Sequence, residues 1–316
     1  HPASPTAFSL PAQRRTDALR PLPGRRCDEA DVTLRRDELR AAPDRKKISV
    51  IVTTFNEEAN VAECLESVLW ADEIVLVDSF STDRTVAIAH TFPITVLQRQ
   101  YFGSAAQKNW ALDRVQHEWV LIIDADERVP EALAREVLTL LATDPAINGF
   151  YIRRENIFVD KVIRHSGWST DKVVRLFRRD KGRYPNRRVH ADLEIAGPVP
   201  VLRNPFLHYT FRTFDQYFGK FLNYAEWGAA QAFRDGRRAG LVEIALRPWW
   251  RFMRTYFFQL GILDGMHGLV LCSLQAFGVF LKYARLWEYR IREARGEQVD
   301  LPAFDDSEAT WKRPSD

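Results

Sequence analysis

The sequence predicts an α/β fold with a mostly parallel central sheet, followed by a C-terminal helical extension. Three observations predict it. Short β-branched runs alternate with helix-patterned stretches from Lys47 to about Leu141; three of those runs end in acidic or amide residues; and the last third of the chain changes to long, aromatic-rich helical patterning. At 316 residues, 46% of them hydrophobic and 28% charged, the chain can bury a full core. A formal charge of +3 is too small to imply nucleic acid as a partner.

The first segment, 1–46, is rich in Pro, Arg, Asp and Ala and has no sustained period, so a flexible arm is expected. Organised structure begins with ISVIVTT (Ile48 to Thr54), a run suited to a strand buried on both faces. Val61, Leu65, Val68 and Leu69 then fall at helical spacing, and EIVLVD (Glu73 to Asp78) is a second strand. Ser81-Thr82-Asp83 offers caps for a helix through His90, with Asp83 as a capping carboxylate. ITVLQ (Ile94 to Gln98) is a third strand, Ser104 to Val115 a helix, and WVLIID (Trp119 to Asp124) a fourth strand. Pro130 opens a further helix at a position where a first turn tolerates it.

Ligands of parallel α/β sheets bind beyond the carboxyl ends of the strands. Here those ends are Thr54-Phe55-Asn56-Glu57, Asp78-Ser79 and Asp124-Ala125-Asp126, which should line one crevice. Two carboxylates at i and i+2 after an apolar strand can share a hard cation, which then keeps open positions for phosphate oxygens. A surface turn whose acids cap the next helix would read the same, so the triplet alone does not decide. Lys108 and Asn109, in GSAAQKNWAL, stand where a diphosphate could be met or where solvent would simply cover them. Cys27, Cys64 and Cys272 are widely spaced, which fits a reducing compartment better than a disulfide or zinc framework. No basic stretch joined to an apolar run suggests a secretory signal in this sequence.

Beyond the fourth strand, Arg153 to Arg188 holds twelve Lys and Arg against four Asp and Glu. Such a run suits capture of phosphate and carboxylate on an acceptor, and suits a solvated face equally. Trp168 could stack on a sugar or sit in the core. Arg247 to Trp287 joins basic residues at both ends to a long apolar middle, interrupted by Asp264, His267 and Gln275. It falls short of roughly 18 uninterrupted apolar residues, so an amphipathic helix lying in a membrane interface is expected. The competing expectation is a helical pair packed on the rest of the chain or on a second subunit, as in a homo-oligomer.

TTFNEEANVAECLESV, VDSFSTDRT, AAQKNWAL and IIDADER, in this order, resemble family 2 glycosyltransferases of the GT-A nucleotide-sugar-binding fold, and in particular the lipopolysaccharide core β-1,4-glucosyltransferase group. The likeness continues through SGWSTDKVVRLFRRDKGRY, the VH of RRVHADLEIAGPV, LHYTFRT, LDGMHGL and KYARLWE, covering roughly Lys47 to Glu288. It implies a catalytic unit over 47–210, with nucleotide binding in 47–130 and acceptor binding in 149–210, then a membrane-associated helical region over 211–292 and a tail over 293–316.

By the same resemblance, Thr54, Asn56 and Glu57 contact the nucleotide, Asp78 reads uridine, Lys108 and Asn109 lie near the diphosphate, and Asp124 and Asp126 hold a divalent metal, Mg2+ or Mn2+. Asp126 is the more direct ligand. The implied reaction is an inverting displacement, with glucose from UDP-glucose passing to a lipid-linked saccharide acceptor, a lipopolysaccharide inner-core heptose, at the cytoplasmic face of the inner membrane. A general base must reach the acceptor hydroxyl. Related sequences often carry Glu directly after the His of the VH motif, where this chain has Ala191. The candidates are therefore Asp192, which is favoured, His190 and Glu194. Alternatives are transfer to a polyprenyl phosphate, a nucleotidyltransferase (whose glycine-rich loop is missing from TTFNEE), and a nucleotide-binding membrane scaffold.

Overall fold

The computed structural model describes residues 44–185, 193–211 and 214–302. The expected arm over 1–43, the base candidates His190 and Asp192, and the last residues of the tail lie outside them. The strands are β1 (Ile48–Thr54), β2 (Glu73–Asp78), β3 (Thr95–Gln98), β4 (Trp119–Asp124), β5 (Glu127–Arg128), β6 (Gly149–Phe158), β7 (Lys161–Val162), β8 (Lys172–Arg178), β9 (Gly182–Arg183), β10 (Glu194–Ile195) and β11 (Phe206–Phe211). Nine of them form one sheet in the order β3-β2-β1-β4-β8-β6-β11-β5, with β7 paired to β6, while β9 and β10 form a separate two-stranded sheet.

The first four strands run parallel, because each is followed by a helix that returns the chain to the same edge. These helices are α1 (Val61–Val68), α2 (Thr85–Ala89) and α3 (Ser104–Leu112), with α4 (Glu131–Thr143) after β5. The apolar runs behave as their composition requires: Ile48, Val50, Ile51 and Val52, like Leu121, Ile122 and Ile123, are fully buried. Alternate residues face opposite sides. Val50, Val52, Leu121 and Ile123 pack with Val61, Leu65, Leu133 and Val137 in one cluster. Ile51, Val120 and Ile122 pack with Ala111, Leu112 and Val115 in another.

Antiparallel β8 then pairs with both β4 and β6, and β11 lies between β6 and β5. This half of the sheet carries residues from distant parts of the chain back to the ends of β1, β2 and β4. The helix expected over Ser81 to His90 is shorter than its pattern, only Thr85–Ala89, because Ser81 and Thr82 are drawn into contacts with the β1 loop.

The C-terminal region departs from a continuous helical pattern. After α5 (Phe214–Arg234) come a π-helical turn (Val242–Leu246), α6 (Arg247–Met253), a second π-helical turn (Arg254–Phe258), a 3-10 turn (Gly261–Asp264) and α7 (Gly265–Ala294). The break falls where Leu260 adopts φ 57° and Gly265 φ 64°, conformations that end a right-handed helix. Ala229, Ala230 and Ala232 of α5 pack on Tyr283, Leu286 and Tyr289 of α7. Leu271 of α7, with Tyr217 and Phe221, packs on Phe158 and Ile163 of the sheet unit. The stretch Gly261–Ala294 is, among the described residues, long and apolar enough to cross a membrane by length and composition, with 22% of its most apolar window buried. The interruptions expected from sequence remain, since His267 and Gln275 lie within α7 and Asp264 at its head, so the apolar character is that of the stretch as a whole and not of an unbroken run.

Candidate active site

Parallel register brings the three strand ends together. Thr54 stands beside Asp78, and Thr53 beside Asp124. The first two loops are stitched by side chains: Asn56, at φ 54°, donates its backbone N–H to Ser81 Oγ at 2.8 Å and accepts from Thr82 N at 2.8 Å. Glu57 N donates to Thr85 Oγ1 at 2.8 Å, and Asp83 accepts from Glu58 N at 3.0 Å and from Thr85 N at 2.9 Å. Asp83 is therefore not the cap expected of it: the helix begins at Thr85 with Arg84 at its N-cap, and the Asp83 carboxylate instead ties the two loops together. Asp78 is fully buried and accepts from Ser81 N at 2.9 Å, from Ser81 Oγ, and from Gln98 Nε2 at 3.0 Å. The Thr54 hydroxyl is buried with no hydrogen-bond partner. Phe55 and Phe80 flank this crevice with more than half their surface exposed, Phe80 at φ 60°. A left-handed conformation is costly for so bulky a residue and is found mostly at functional sites.

The acidic triplet splits into two environments. Asp124 accepts from Thr53 Oγ1 at 2.7 Å and from Arg175 Nη2, and lies 3.3 Å from Lys108 Nζ. Burial works to raise its carboxyl pKa, but the two cations and the hydroxyl hold it well below the usual carboxylate range. Burial and the nearby Arg175 push the Lys108 ammonium down, and the acids only partly restore it. Beneath them Glu127, fully buried, accepts from Asp124 N at 2.9 Å and lies 3.5 Å from Arg154 and 3.6 Å from Arg175.

Asp126 faces the other way, 3.6 Å from His208 Nε2. The antiparallel pairing of β5 with β11 sets His208 opposite Glu127 and lets Tyr209 N donate to Asp126 O at 2.8 Å. His208 Nδ1 lies 2.6 Å from Asn156 Oδ1. Protonated on both nitrogens, His208 directs Nε2–H at Asp126; with the proton on Nδ1 alone, Nε2 is free to share with Asp126 a cation placed between them, the way metal-binding histidines do. Burial works to lower the His208 pKa, yet its hydrogen bond to Asp126 and that group's charge raise it overall.

Among the described residues no three His, Cys, Asp or Glu side chains form a closed metal cage. One carboxylate in the turn before β5 and one imidazole on β11 fit an open site, since Mg2+ and Mn2+ are held by few protein ligands and completed by phosphate and water. Asp124, already surrounded by donors, fits the role of orienting Lys108 and Arg175 better than that of a ligand.

Other sequence candidates are placed as follows. The Asn109 amide is spent on the backbone of Tyr184, donating to its O at 2.8 Å and accepting from its N at 3.1 Å. This holds a phenol that burial pushes up to about 12, with its ring 5.7 Å from Lys108 Nζ. Glu194 is exposed on β10 opposite Arg183, whose guanidinium instead binds Asp113. The basic run is largely occupied: Arg154 pairs with Asp171, Arg178 with Asp144, Arg179 with Val115 O, and Lys161 with Asp264 O. His208, Asn156 and Arg175 were not singled out from sequence. A His following the apolar FL of β11 was the visible signal for the first.

Residues 49–198 match the family model for glycosyl transferase family 2. The lipopolysaccharide core biosynthesis glycosyltransferase LpsC of Rhizobium meliloti is 30% identical over 255 residues, covering 78% of this chain and 94% of that one. An uncharacterized glycosyltransferase of Rickettsia typhi is 27% identical over 259 residues, covering 78% and 89%. Likeness to solved structures is looser. The mannosyltransferase PcManGT from Pyrobaculum calidifontis, in complex with GDP-Man and Mn2+, aligns at TM-score 0.42 and 20% identity over 84% of this chain and 94% of that one. The mostly parallel sheet with acids at its carboxyl edge is thus the scaffold of a glycosyltransferase. The chain belongs to glycosyl transferase family 2.

Proposed function

We propose that the enzyme transfers glucose from UDP-glucose to a heptose of the lipopolysaccharide inner core, inverting the anomeric centre in one displacement. The observation that carries this reading is the pairing of Asp126 with His208 at the carboxyl edge of the sheet, beside the buried cations Lys108 and Arg175. The acceptor class is supported by the relative LpsC, which spans most of the chain.

In this reading Asp126 and His208 hold a divalent cation, Mg2+ or Mn2+, which when bound offsets the charge that grows on the departing diphosphate. Lys108 and Arg175, oriented by Asp124, turn their charge toward the same oxygens. Asp78 reads the uracil edge, Thr54, Asn56 and Glu57 position the ribose and base, and the exposed ring of Phe55 or Phe80 covers the base. Asp192 takes the acceptor proton, with His190 and Glu194 as the other candidates.

The helical region supports contact with the cytoplasmic membrane face. Trp249, Trp250, Phe258, Leu263 and Met266 are more than half exposed beside Arg251 and Arg254, a mixture of apolar and cationic groups suited to an anionic lipid interface. The same surface could instead be covered by a second copy of the chain, which flotation with anionic liposomes and measurement of the mass in solution would separate.

The test is nucleotide release from a panel of UDP and other nucleotide sugars with Mn2+, with and without truncated lipopolysaccharide. UDP-glucose with acceptor is expected to give the fastest release. Full activity of Asp126→Ala would defeat the proposal.

A further inference from the structure

Beside His208 a cavity of about 450 Å3 is lined by Asn156, Gly167, Trp168, Thr170, Asp171, His208 and Thr210. Its size is within the ~300–1,000 Å3 of small-molecule sites. We infer that this cavity binds one neutral pyranose ring of the acceptor, with Asp171 receiving a ring hydroxyl and Trp168 packing on the ring's C–H face. The inference rests on the glycosyl-transfer reading for the word acceptor, but not for the chemistry of the ligand.

Three features point to a neutral polyol. First, the lining contains no Lys or Arg. Arg154, the nearest cation named by contact, is committed to Asp171 Oδ1 at 2.8 Å and to Glu127 at 3.5 Å. Among the described lining residues an anionic ligand would find an acid and no cation. Second, Asp171 is only half used: Arg154 holds Oδ1, while Oδ2 has a long contact of 3.4 Å with Asn156 Nδ2. A hydroxyl donating to that oxygen would form a charge-assisted bond, stronger than one between neutral groups. Third, Trp168 stands edge-on to Phe158, with ring centroids 6.4 Å apart at 87°, and lines the cavity with its half-exposed indole, an apolar surface suited to the C–H face of a sugar.

The cavity is also wired to the donor site. Asp126 faces His208 at 3.6 Å, His208 faces Asn156 at 2.6 Å, and Asn156 reaches Asp171 at 3.4 Å. A sugar seated against Asp171 therefore lies next to the group that would carry the donor's cation, where an attacking hydroxyl has to be. The loop bearing Trp168 is anchored through Ser166 N, which donates to Gln259 O at 3.0 Å, and through Arg154 N, which donates to Asp171 O at 3.0 Å.

The test is calorimetric titration of the full chain, with Mn2+ and UDP present, using deacylated inner-core oligosaccharide in phosphorylated and dephosphorylated forms. Asp171→Asn should weaken binding of the dephosphorylated form about tenfold or more, the value of a hydrogen bond to a charged group. Thr170→Arg, a change at an exposed loop position that fills the cavity mouth, should weaken it at least as much and keeps the test valid should the first variant fold poorly. UDP affinity should stay within about twofold in Thr170→Arg, since Thr170 is not part of the Asp126–His208–Asn156–Asp171 chain. The cavity assignment falls if the wild type does not bind the dephosphorylated oligosaccharide, or if both variants bind it as the wild type does. The neutral-ring assignment falls if the phosphorylated form binds more than about tenfold tighter. A wild type that binds with these dependences yet releases no UDP from any UDP-sugar would overturn the transfer reading and leave the cavity standing.

Discussion

Asp124 and Asp264 are both acids ringed by hydrogen-bond donors, and their partners differ in kind. Asp264, at the head of α7, is buried and accepts from Arg164 N at 3.2 Å, His165 N at 3.0 Å, His165 Nδ1 at 3.1 Å and Ser166 Oγ at 3.3 Å. All four donors belong to one loop, and two of them are backbone amides that cannot turn elsewhere without unmaking it. Asp124 is held by side-chain ends from three separate elements, Thr53, Lys108 and Arg175, and such groups can rotate toward a phosphate. A carboxylate bound by backbone belongs to the fold, whereas one bound by side-chain cations holds those cations ready for a ligand. The sheet unit and the helical unit are therefore joined by the first kind of contact and perform chemistry with the second.

That contrast can be broken most sharply at Asp126. Asp126→Ala should lower kcat/KM for sugar transfer by roughly 10³-fold, the scale of losing a group that stabilises developing charge, while the melting temperature changes little. A large loss of stability with modest loss of rate would place Asp126 with Asp264 as a structural acid. The converse variant is Asp264→Ala. It should cost about 3 kcal/mol of stability by leaving loop amides unpaired, read in thermal or denaturant unfolding, and leave UDP and Mn2+ affinity near wild type. Loss of donor binding instead would show that the helical unit shapes the donor site directly. Smaller still is Gly268→Ala: a methyl there would meet Gly261 O at 1.9 Å, so about 2 kcal/mol of overpacking is expected, confined to unfolding of the helical unit. Wild-type stability in this variant would show that the 3-10 turn has slack and that Asp264 alone holds it.

Much of the donor half was legible because it is local. Ile48 to Thr54 and Trp119 to Asp124 show their strands in composition, and parallel strands joined by helices place Thr54, Asp78 and Asp124 on one edge by topology alone. What was missed arrives by non-local register. Arg175 reaches Asp124 on antiparallel β8, and His208 reaches Asp126 because β11 pairs with β5; no local period encodes which strand lies beside which. Asn109 was read as a nucleotide contact, but its amide is taken up by Tyr184. For the arginine run, charge counts leave an acceptor surface and a solvated face equally open, because they cannot show that Asp171 and Glu127 lie beside Arg154 and Asp144 beside Arg178. In LDGMHGL the interruption by Asp264 was visible, but the backbone reversal at Leu260 that makes it a clasp was not.

The mildest test separates the two environments by pH. Burial would raise the Asp124 carboxyl, but Arg175, Lys108 and Thr53 hold it well below its ordinary value. A carboxylate whose pKa is depressed in the folded state contributes stability that is complete above the unfolded value of about 3.9, and that contribution is lost as pH falls through the lower folded value. Asn at this position cannot ionise, so it carries no such dependence. In metal-free buffer the difference in melting temperature between wild type and Asp124→Asn should be constant from about pH 5 to 8 and should narrow below about pH 4. A difference that stayed constant to pH 3 would mean that Arg175 and Lys108 do not hold the carboxylate charged, and the view of Asp124 as the keeper of two cations would have to be abandoned.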